Sequence, residues 1–273
     1  MDNSTSALSE EMKKHDAVQV AMMEECLILV DQEDNPIGVE SKKTCHLMAN
    51  ILPPRSLLHR AFSCFLFRPS DGKLLLQKRA SEKITFPDLW TNTCCSHPLA
   101  TKDEMEIADH IGIRRAAQRK LEHELGIQAS QVPLSDFVFL TRIHYLAPSD
   151  GLWGEHEIDY IFFITAEVDL EVNPNECSDV AWVSQSELQD MLNEPNNAFT
   201  PWFKLIVDRF LFPWWKVLLE RSTDSPVDAR ALADVHDKII HRMNEAKEAD
   251  VIVNHSDEKC PLDVAPSATS VAV

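Results

Sequence analysis

Apolar runs in the first third of the chain predict two β-hairpins. The first pairs residues 26–31 with residues 37–40 around a turn of aspartate, asparagine and proline, and the second pairs residues 61–68 with residues 73–79 around a Pro-Ser-Asp-Gly turn. These turn residues tolerate or fix the backbone angles that a tight reversal requires. The chain therefore begins as antiparallel sheet.

Further strands are predicted in the second half of the chain. Residues 137–146 and 155–168 are rich in β-branched and aromatic side chains, and a Pro-Ser-Asp-Gly segment within residues 147–151 joins them. Such side chains fit a pleated, half-buried surface. Residues 180–183 add a short strand.

Helical spacing of apolar residues appears between and after these strands. Residues 113–125 carry apolar side chains three and four positions apart, and Gly126 is placed to end that helix. Strands, one embedded helix, more strands and flanking helices indicate an α+β domain with a mixed sheet. The later helix signals are a capping box at Ser184–Glu187, an N-cap and first-turn proline at Thr200-Pro201, a proline expected to break or kink that helix at Pro213, and a charged amphipathic stretch at residues 228–248.

The net charge of −18 changes the picture of possible partners. It argues against nucleic acid or an anionic membrane surface as the main partner. Residues 1–25 and 244–273 each carry six acidic and two basic side chains and many small polar residues, so we expect two acidic, flexible tails. The domain itself is expected to span residues 26–243.

Seven cysteines, two of them adjacent at Cys94-Cys95, fit no simple disulfide framework and indicate a reduced, intracellular protein. No apolar run approaches the length of a membrane span, and Met1 opens no secretory signal. We expect a cytoplasmic protein. The chain does not end in Ser-Lys-Leu, and a peroxisomal fraction stays an open alternative.

Two short segments place reactive residues on one side of an extended chain. Cys95 and His97 are two positions apart and face the same way, as do Glu155 and Glu157. Two carboxylates on one strand face repel each other unless a cation lies between them. The glutamates therefore favour a cation site, whereas a lone cysteine–histidine pair is more often a buried thiol beside a structural histidine.

His46 and His59 could complete a divalent-ion site with His97 and the two glutamates, although neither has a tight ligand spacing and a lone histidine is more often structural. Nitrogen and oxygen ligands suit magnesium, manganese or zinc and argue against a thiolate-rich structural zinc site. Basic residues could seat a diphosphate through charge-assisted hydrogen bonds, although isolated ones are more often surface charges. The candidates are Lys42, Arg79 and Lys83.

The helix at residues 113–125 resembles the end of a Nudix box, whose glutamates hold a metal-bound diphosphate. The matching positions are Arg119, Leu121, Glu124, Gly126 and Ile127. A hydrolase needs several carboxylates to hold metals and to activate water. This helix retains too few of them, because Lys120, His123 and Ile111 stand where hydrolytic members carry glutamates.

Together these segments resemble the type I isopentenyl-diphosphate isomerases of the Nudix superfamily, and the eukaryotic branch in particular. The resemblance runs from about Cys26 to Met243, and its most specific segments are residues 91–98, residues 140–145 followed by 149–160, and residues 200–203. It implies a Nudix-like mixed sheet sandwiched by helices, with extra N-terminal strands and C-terminal helices. It also implies the reversible conversion of isopentenyl diphosphate to dimethylallyl diphosphate in the synthesis of isoprenoid and sterol precursors.

The resemblance assigns roles to individual residues. The catalytic set is Cys95, Glu157, Tyr145 and Trp202; the substrate-binding set is Lys42, Arg79, Lys83, Ser96 and Lys120; the ligands of a divalent ion (Mg²⁺, Mn²⁺ or Zn²⁺) are His46, His59, His97, Glu155 and Glu157; and Glu124 holds a Mg²⁺ at the diphosphate. We expect a monomer that acts on a small-molecule substrate.

Two other functions are weighed against this one. A Nudix hydrolase of a nucleoside diphosphate derivative would not need the Cys-x-His segment and would need more glutamates on its helix. A non-catalytic Nudix-like binding module, with its acidic tails as protein contacts, would not need Cys95 or Glu157, and both are present.

Overall fold

The computed structural model describes residues 3–222 and 226–243. Among them, no helix is both long and apolar enough to cross a membrane. The helices and strands follow one another as α1 (Asn3–Met12), α2 (Ala17–Met22), β1 (Cys26–Val30), β2 (Pro36–Ser41), α3 (Lys42–His46), α4 (Met48–Ile51), β3 (His59–Phe67), β4 (Leu74–Arg79), β5 (Trp90–Thr91), β6 (Cys94–Ser96), α5 (Ile111–Leu125), β7 (Val138–Pro148), β8 (Gly154–Thr165), β9 (Cys177–Val183), α6 (Gln185–Asn193), α7 (Pro201–Ile206), α8 (Phe212–Glu220) and β10 (Ile240–Arg242).

The sheet is mixed, as predicted. Its main path runs β10–β7–β8–β3–β1–β2, with β3 and β8 parallel at the centre and β7 antiparallel to β8. Strand β6 also pairs with β3, and β4 pairs with β5 and β9. Parallel neighbours need a long crossover, and the chain between β3 and β8 provides one that contains α5.

Helices cover both faces of this sheet. On one face, Phe65 and Phe163 pack against the buried residues of α7 and α8. On the other face, Phe62 and Phe162 pack against α5. Successive strand residues point to opposite faces, so each central strand supplies both cores. The α+β fold with a sheet between helices is confirmed.

Helix α5 follows its predicted pattern closely. It begins two residues earlier than predicted, at Ile111, and it ends at Gly126, which has a φ of 70°. A Cβ at Gly126 would lie 2.5 Å from the carbonyl oxygen of Glu171. Glycine is therefore required there both by the left-handed backbone and by the close approach of another segment.

Two helix predictions near the C-terminus are corrected. Of the break or kink predicted at Pro213, the break is wrong: a π-helical segment at Val207–Leu211 connects α7 to α8, and the proline lies in the first turn of α8, where its missing N–H is tolerated. The prediction of a helix at residues 228–248 is wrong for residues 228–243. Residues 244–248 lie outside the described residues. Ala229–Leu232 form a single 3₁₀ turn, and β10 then adds to β7.

The N-terminal residues differ from the flexible tail that we expected over residues 1–25. Residues 3–12 and 17–22 are helical, and Asp16 caps α2 by accepting hydrogen bonds from the backbone N–H groups of Val18 and Gln19. Met23 is buried in a small apolar cluster with Trp153. The acidic and small polar composition predicted a tail because the few apolar residues that make these contacts give only a weak signal in the sequence. The predicted C-terminal tail, residues 244–273, lies outside the described residues.

Candidate active site

A cavity lies between the sheet and α7, on the face of β3 and β8 that also carries Phe65 and Phe163. Ten of the predicted site residues line it: Lys42, Arg79, Lys83, Cys95, Ser96, His97, Tyr145, Glu155, Glu157 and Trp202. Strand pairing brings them together from distant parts of the chain. Of the other predicted site residues, His46 and His59 lie buried beside Glu155 and Glu157, and Lys120 and Glu124 do not line the cavity.

Register places the reactive side chains side by side. In the parallel pair, His59 of β3 lies opposite Glu157 of β8. In the antiparallel pair, Tyr145 of β7 also lies opposite Glu157. Ser63 of β3 pairs with Cys95 of β6. Glu157 is therefore flanked by a histidine on one neighbouring strand and a tyrosine on the other.

Three histidines and Glu157 form a compact buried cluster. The ring centroids of His46, His59 and His97 are 4.8 to 4.9 Å apart. Each histidine and Glu157 offers one potential ligand atom, and these four atoms all lie within 4.8 Å of one another. His97 Nε2 lies 2.7 Å from Glu157 Oε1. The fifth predicted ligand, Glu155, is adjacent to this group, with Oε1 4.0 Å from His46 Nε2.

Unpartnered nitrogen atoms show that this cluster fits a divalent ion. Among the described residues, His46 Nε2 and His59 Nδ1 are buried without a hydrogen-bond partner, and His59 Nε2 lies 3.2 Å from Glu157 Oε1. His46 Nδ1 lies 2.7 Å from the carbonyl oxygen of Lys42, so this nitrogen carries the proton and Nε2 presents a lone pair. Buried polar atoms are nearly always bonded. A cation with nitrogen and oxygen ligands would engage His46 Nε2 and one ring nitrogen of His59.

The two glutamates of β8 differ in charge state. Burial and then the charge of Glu157 raise the pKa of Glu155 to about 8. Burial opposes ionisation of Glu157 as well, but the imidazoles of His59 and His97 outweigh it and hold the pKa of Glu157 well below its ordinary value. The Tyr145 hydroxyl lies 2.6 Å from Glu157 Oε2 and 3.0 Å from Glu155 Oε2, and it can donate to either carboxylate.

Cys95 lines the same cavity from a separate strand, β6. Burial raises the pKa of its thiol to about 12, although the nearby guanidinium of Arg79 opposes this. The Arg79 Nη1 atom is 4.0 Å from Cys95 Sγ, and the same guanidinium lies 5.6 Å from the ring centroid of Trp202. Trp202 donates a hydrogen bond from Nε1 to Asn92 Oδ1 at 3.2 Å, which fixes the indole at the cavity wall.

Three lysines of the predicted site lie close enough to influence one another. Burial and then repulsion from Lys83 and Lys120 lower the pKa of Lys42 to about 8. Lys120 Nζ lies 3.1 Å from Glu124 Oε1, and Gln77 donates to Glu124 Oε2 at 2.9 Å. Glu124 is therefore paired within the protein, and its fit to a Mg²⁺ at the diphosphate is less direct than that of the histidine cluster.

Sequence analysis missed several residues at this site. Asp159 and Ser63 line the cavity, and Ser63 donates a hydrogen bond to Asp159 at 2.7 Å. Strand alternation could have predicted Asp159, because it continues the face of Glu155 and Glu157. Gln19 also lines the cavity, but its segment was taken for a tail. The pairing of buried Glu176 with Lys83 has no signal in the sequence, because Glu176 lies in a loop.

Comparison with known proteins agrees with this geometry. The profile of the NUDIX domain family matches residues 57–203. An isopentenyl-diphosphate delta-isomerase of Phaffia rhodozyma is 59% identical over 233 residues, which cover 85% of this chain and 93% of the relative. The chain belongs to the isopentenyl-diphosphate delta-isomerase family.

Two other members of the family show the same breadth of similarity. The isopentenyl-diphosphate delta-isomerase of Schizosaccharomyces pombe is 50% identical, and the aligned region covers 85% of this chain and 97% of that relative. The isopentenyl-diphosphate Delta-isomerase 1 of Bos taurus is 52% identical, and the aligned region covers 73% of this chain and 88% of that relative. The family and the enzyme class expected from the sequence are confirmed, and the isomerase is favoured over a Nudix hydrolase or a binding module.

Proposed function

We propose that this isomerase interconverts isopentenyl diphosphate and dimethylallyl diphosphate through Cys95 and Glu157. The reaction moves a double bond by one position, so one carbon gains a proton and another loses one. The observation that carries the proposal is the arrangement of Cys95 and Glu157, which line one buried cavity from different strands. A substrate between them can exchange a proton with each.

The charge states of these two groups suit that exchange. The raised pKa of Cys95 keeps the thiol protonated at neutral pH, and the lowered pKa of Glu157 keeps its carboxylate ionised. One group therefore holds a proton and the other can take one. Each turnover moves one proton onto the substrate and one off it, and the reverse reaction exchanges the donor and the acceptor. Tyr145 holds Glu157 in place by hydrogen bonding.

The buried cluster supports the proposal of a bound metal ion. We propose that His46, His59, His97, Glu155 and Glu157 hold a divalent ion, with Mg²⁺, Mn²⁺ and Zn²⁺ all compatible with these ligands. When bound, the ion would reduce the proton affinity of Glu157. A Mg²⁺ near Glu124 would offset diphosphate charge, provided that Lys120 gives up its contact with Glu124.

The other lining residues would bind and shield the substrate. Lys42, Arg79, Lys83 and Ser96 offer donors to the diphosphate, and Lys120 could join them after leaving Glu124. Trp202 is 2% exposed and would face the hydrocarbon end, where its ring could stabilise a carbocation by about 2 kcal/mol or more once water is excluded. Excluding water also suppresses capture of that cation.

Deuterium incorporation tests this proposal. The protein is incubated with isopentenyl diphosphate and Mg²⁺ in heavy water, and dimethylallyl diphosphate carrying deuterium is expected. The Cys95→Ala variant should remain folded and lose turnover. Intact substrate without deuterium, under conditions in which a known isomerase is active, would refute the proposal. Release of inorganic phosphate from nucleotide substrates would instead support a Nudix hydrolase.

We also propose that the enzyme is a cytoplasmic monomer that serves isoprenoid and sterol precursor synthesis. All six cysteines in the described part of the chain are free thiols, which suits a reducing compartment. Light scattering after size-exclusion chromatography measures the oligomeric state. Microscopy of a fluorescent fusion, with a peroxisomal marker, tests the location.

A further inference from the structure

A buried carboxylate outside the predicted site contacts two of the lysines that we propose to bind the diphosphate. Glu176 is 2% exposed and lies in the loop before β9. Its Oε2 atom is 2.6 Å from Lys83 Nζ and 3.7 Å from Lys120 Nζ. Lys83 lines the cavity, whereas Glu176 does not. The carboxylate therefore acts on the cavity through a lysine.

The carboxylate is itself fixed through its other oxygen atom. Gln19 of α2 donates a hydrogen bond from Nε2 to Glu176 Oε1 at 3.0 Å. The backbone of Glu176 accepts a hydrogen bond from the Ala80 N–H at 3.1 Å, which ties its loop to the segment that leads to Lys83. A buried carboxylate with both oxygens engaged has few alternative positions. It is a rigid support for a flexible partner.

We propose that Glu176 is a positioning residue for the diphosphate and that it acts by holding Lys83 in place. This inference rests on the proposed function, in which Lys83 binds the diphosphate. A lysine ammonium has three donors on a flexible stem. Glu176 engages one of them, which leaves two for the cavity and removes most of the motion that substrate binding would otherwise have to freeze.

The same carboxylate also balances charge before substrate arrives. Lys83 and Lys120 are 10% and 6% exposed at their side chains, and buried ammonium groups without partners are strongly unfavourable. Lys120 has a second partner in Glu124, whereas Lys83 has only Glu176 within 4.0 Å among the carboxylates of the described residues. Without Glu176, Lys83 would turn toward water and away from the site of the diphosphate.

Binding of inorganic pyrophosphate tests the role of Glu176 without requiring turnover. For Glu176→Gln we expect a rise of about tenfold in the Kd for pyrophosphate with Mg²⁺, measured by calorimetry, because one charge-assisted contact that places Lys83 is lost. The KM for isopentenyl diphosphate should rise in parallel while kcat changes by less than about twofold. Glu176→Asp, which keeps the charge, should recover part of the affinity.

Matched variants separate positioning from a general loss of structure. Glu187→Gln removes a carboxylate that contacts Lys73 at 2.9 Å on the surface, and it should leave the Kd unchanged. In a Lys83→Met background, Glu176→Gln should have no further effect on the Kd. If Glu176→Gln does not fold, Glu176→Asp is used in the same cycle, and its smaller rise in Kd should likewise vanish without Lys83.

Three results would overturn the inference: an unchanged Kd, tighter binding of pyrophosphate, or an equal effect of the Glu176 substitution with and without Lys83. Failure of the proposed reaction is distinguishable from this. A wild-type protein that binds pyrophosphate but incorporates no deuterium would refute the isomerisation and leave the pyrophosphate measurements on Glu176 interpretable.

Discussion

Binding of a divalent ion at the histidine–glutamate cluster should release a proton from Glu155. Burial and then the charge of Glu157 raise the pKa of Glu155 to about 8 when no ion is bound. At pH 7, one unit below that value, the carboxyl is about nine-tenths protonated. It must lose this proton to become an anionic ligand, because metal ligands bind in their deprotonated form.

The neighbouring groups should contribute less to this release. Burial lowers the pKa of His97 to about 3 and that of His46 well below its ordinary value, so both imidazoles are already neutral at pH 7. Glu157 is already ionised, because its lowered pKa lies well below 7. We therefore expect Glu155 to release about 0.9 proton at pH 7 and about 0.1 proton at pH 9.

Titration calorimetry in buffers of different ionisation enthalpy measures this release. The slope of the observed enthalpy against the buffer enthalpy gives the number of protons per ion bound, with Mn²⁺ or Mg²⁺ as the titrant. The Glu155→Gln variant is the control, and the difference between it and the wild type isolates the proton of Glu155. A difference below about 0.3 proton at pH 7 would show that Glu155 is not a protonated ligand.

Three further predictions concern stability and turnover. Asp34→Asn should lower the free energy of unfolding, measured by urea denaturation, by about 3 kcal/mol, because the buried Asp34 carboxylate accepts hydrogen bonds from two arginines and a tyrosine. The control is Asp71→Asn, which removes an exposed ion pair, and an equal or smaller loss for Asp34→Asn would contradict the prediction. Trp202→Leu should lower kcat about thirtyfold with pyrophosphate affinity unchanged, and an unchanged kcat would remove the proposed cation contact. Gly126→Ala should lower the free energy of unfolding by about 1 kcal/mol or more, and an unaltered Tm would disprove the requirement for glycine there.

The central fold could be predicted because local patterns and global packing agree. Residues 138–140 of β7 and 160–164 of β8 alternate between two buried cores, so both faces are apolar there and the strand signal is unambiguous. Helix α5 carries its own stop signal in Gly126. Where a segment's structure depends on distant partners, prediction failed. Ile240 joins the sheet because β7 offers a free edge, although its local sequence has a helical pattern.

The site was predictable where its residues share a strand. Glu155 and Glu157 could be paired by alternation alone, and Asp159 could have been added by the same rule. The cluster of His46, His59 and His97 required the family resemblance, because only sheet pairing brings them together. Gln19 could not be found from its sequence, since it reaches the cavity only through the docking of α2.

The parallel register of β3 and β8 makes the cluster a check on correct folding. His59 lies directly opposite Glu157, although the two are nearly a hundred positions apart in the chain. A slip of one residue would turn Glu157 toward the opposite core, where no histidine of the cluster could meet it. A misregistered sheet would leave the histidines without their carboxylate, so ion binding would discriminate between correct and incorrect pairings of the same two strands. An ion added during refolding should accordingly shift the population toward the protein with correctly paired strands.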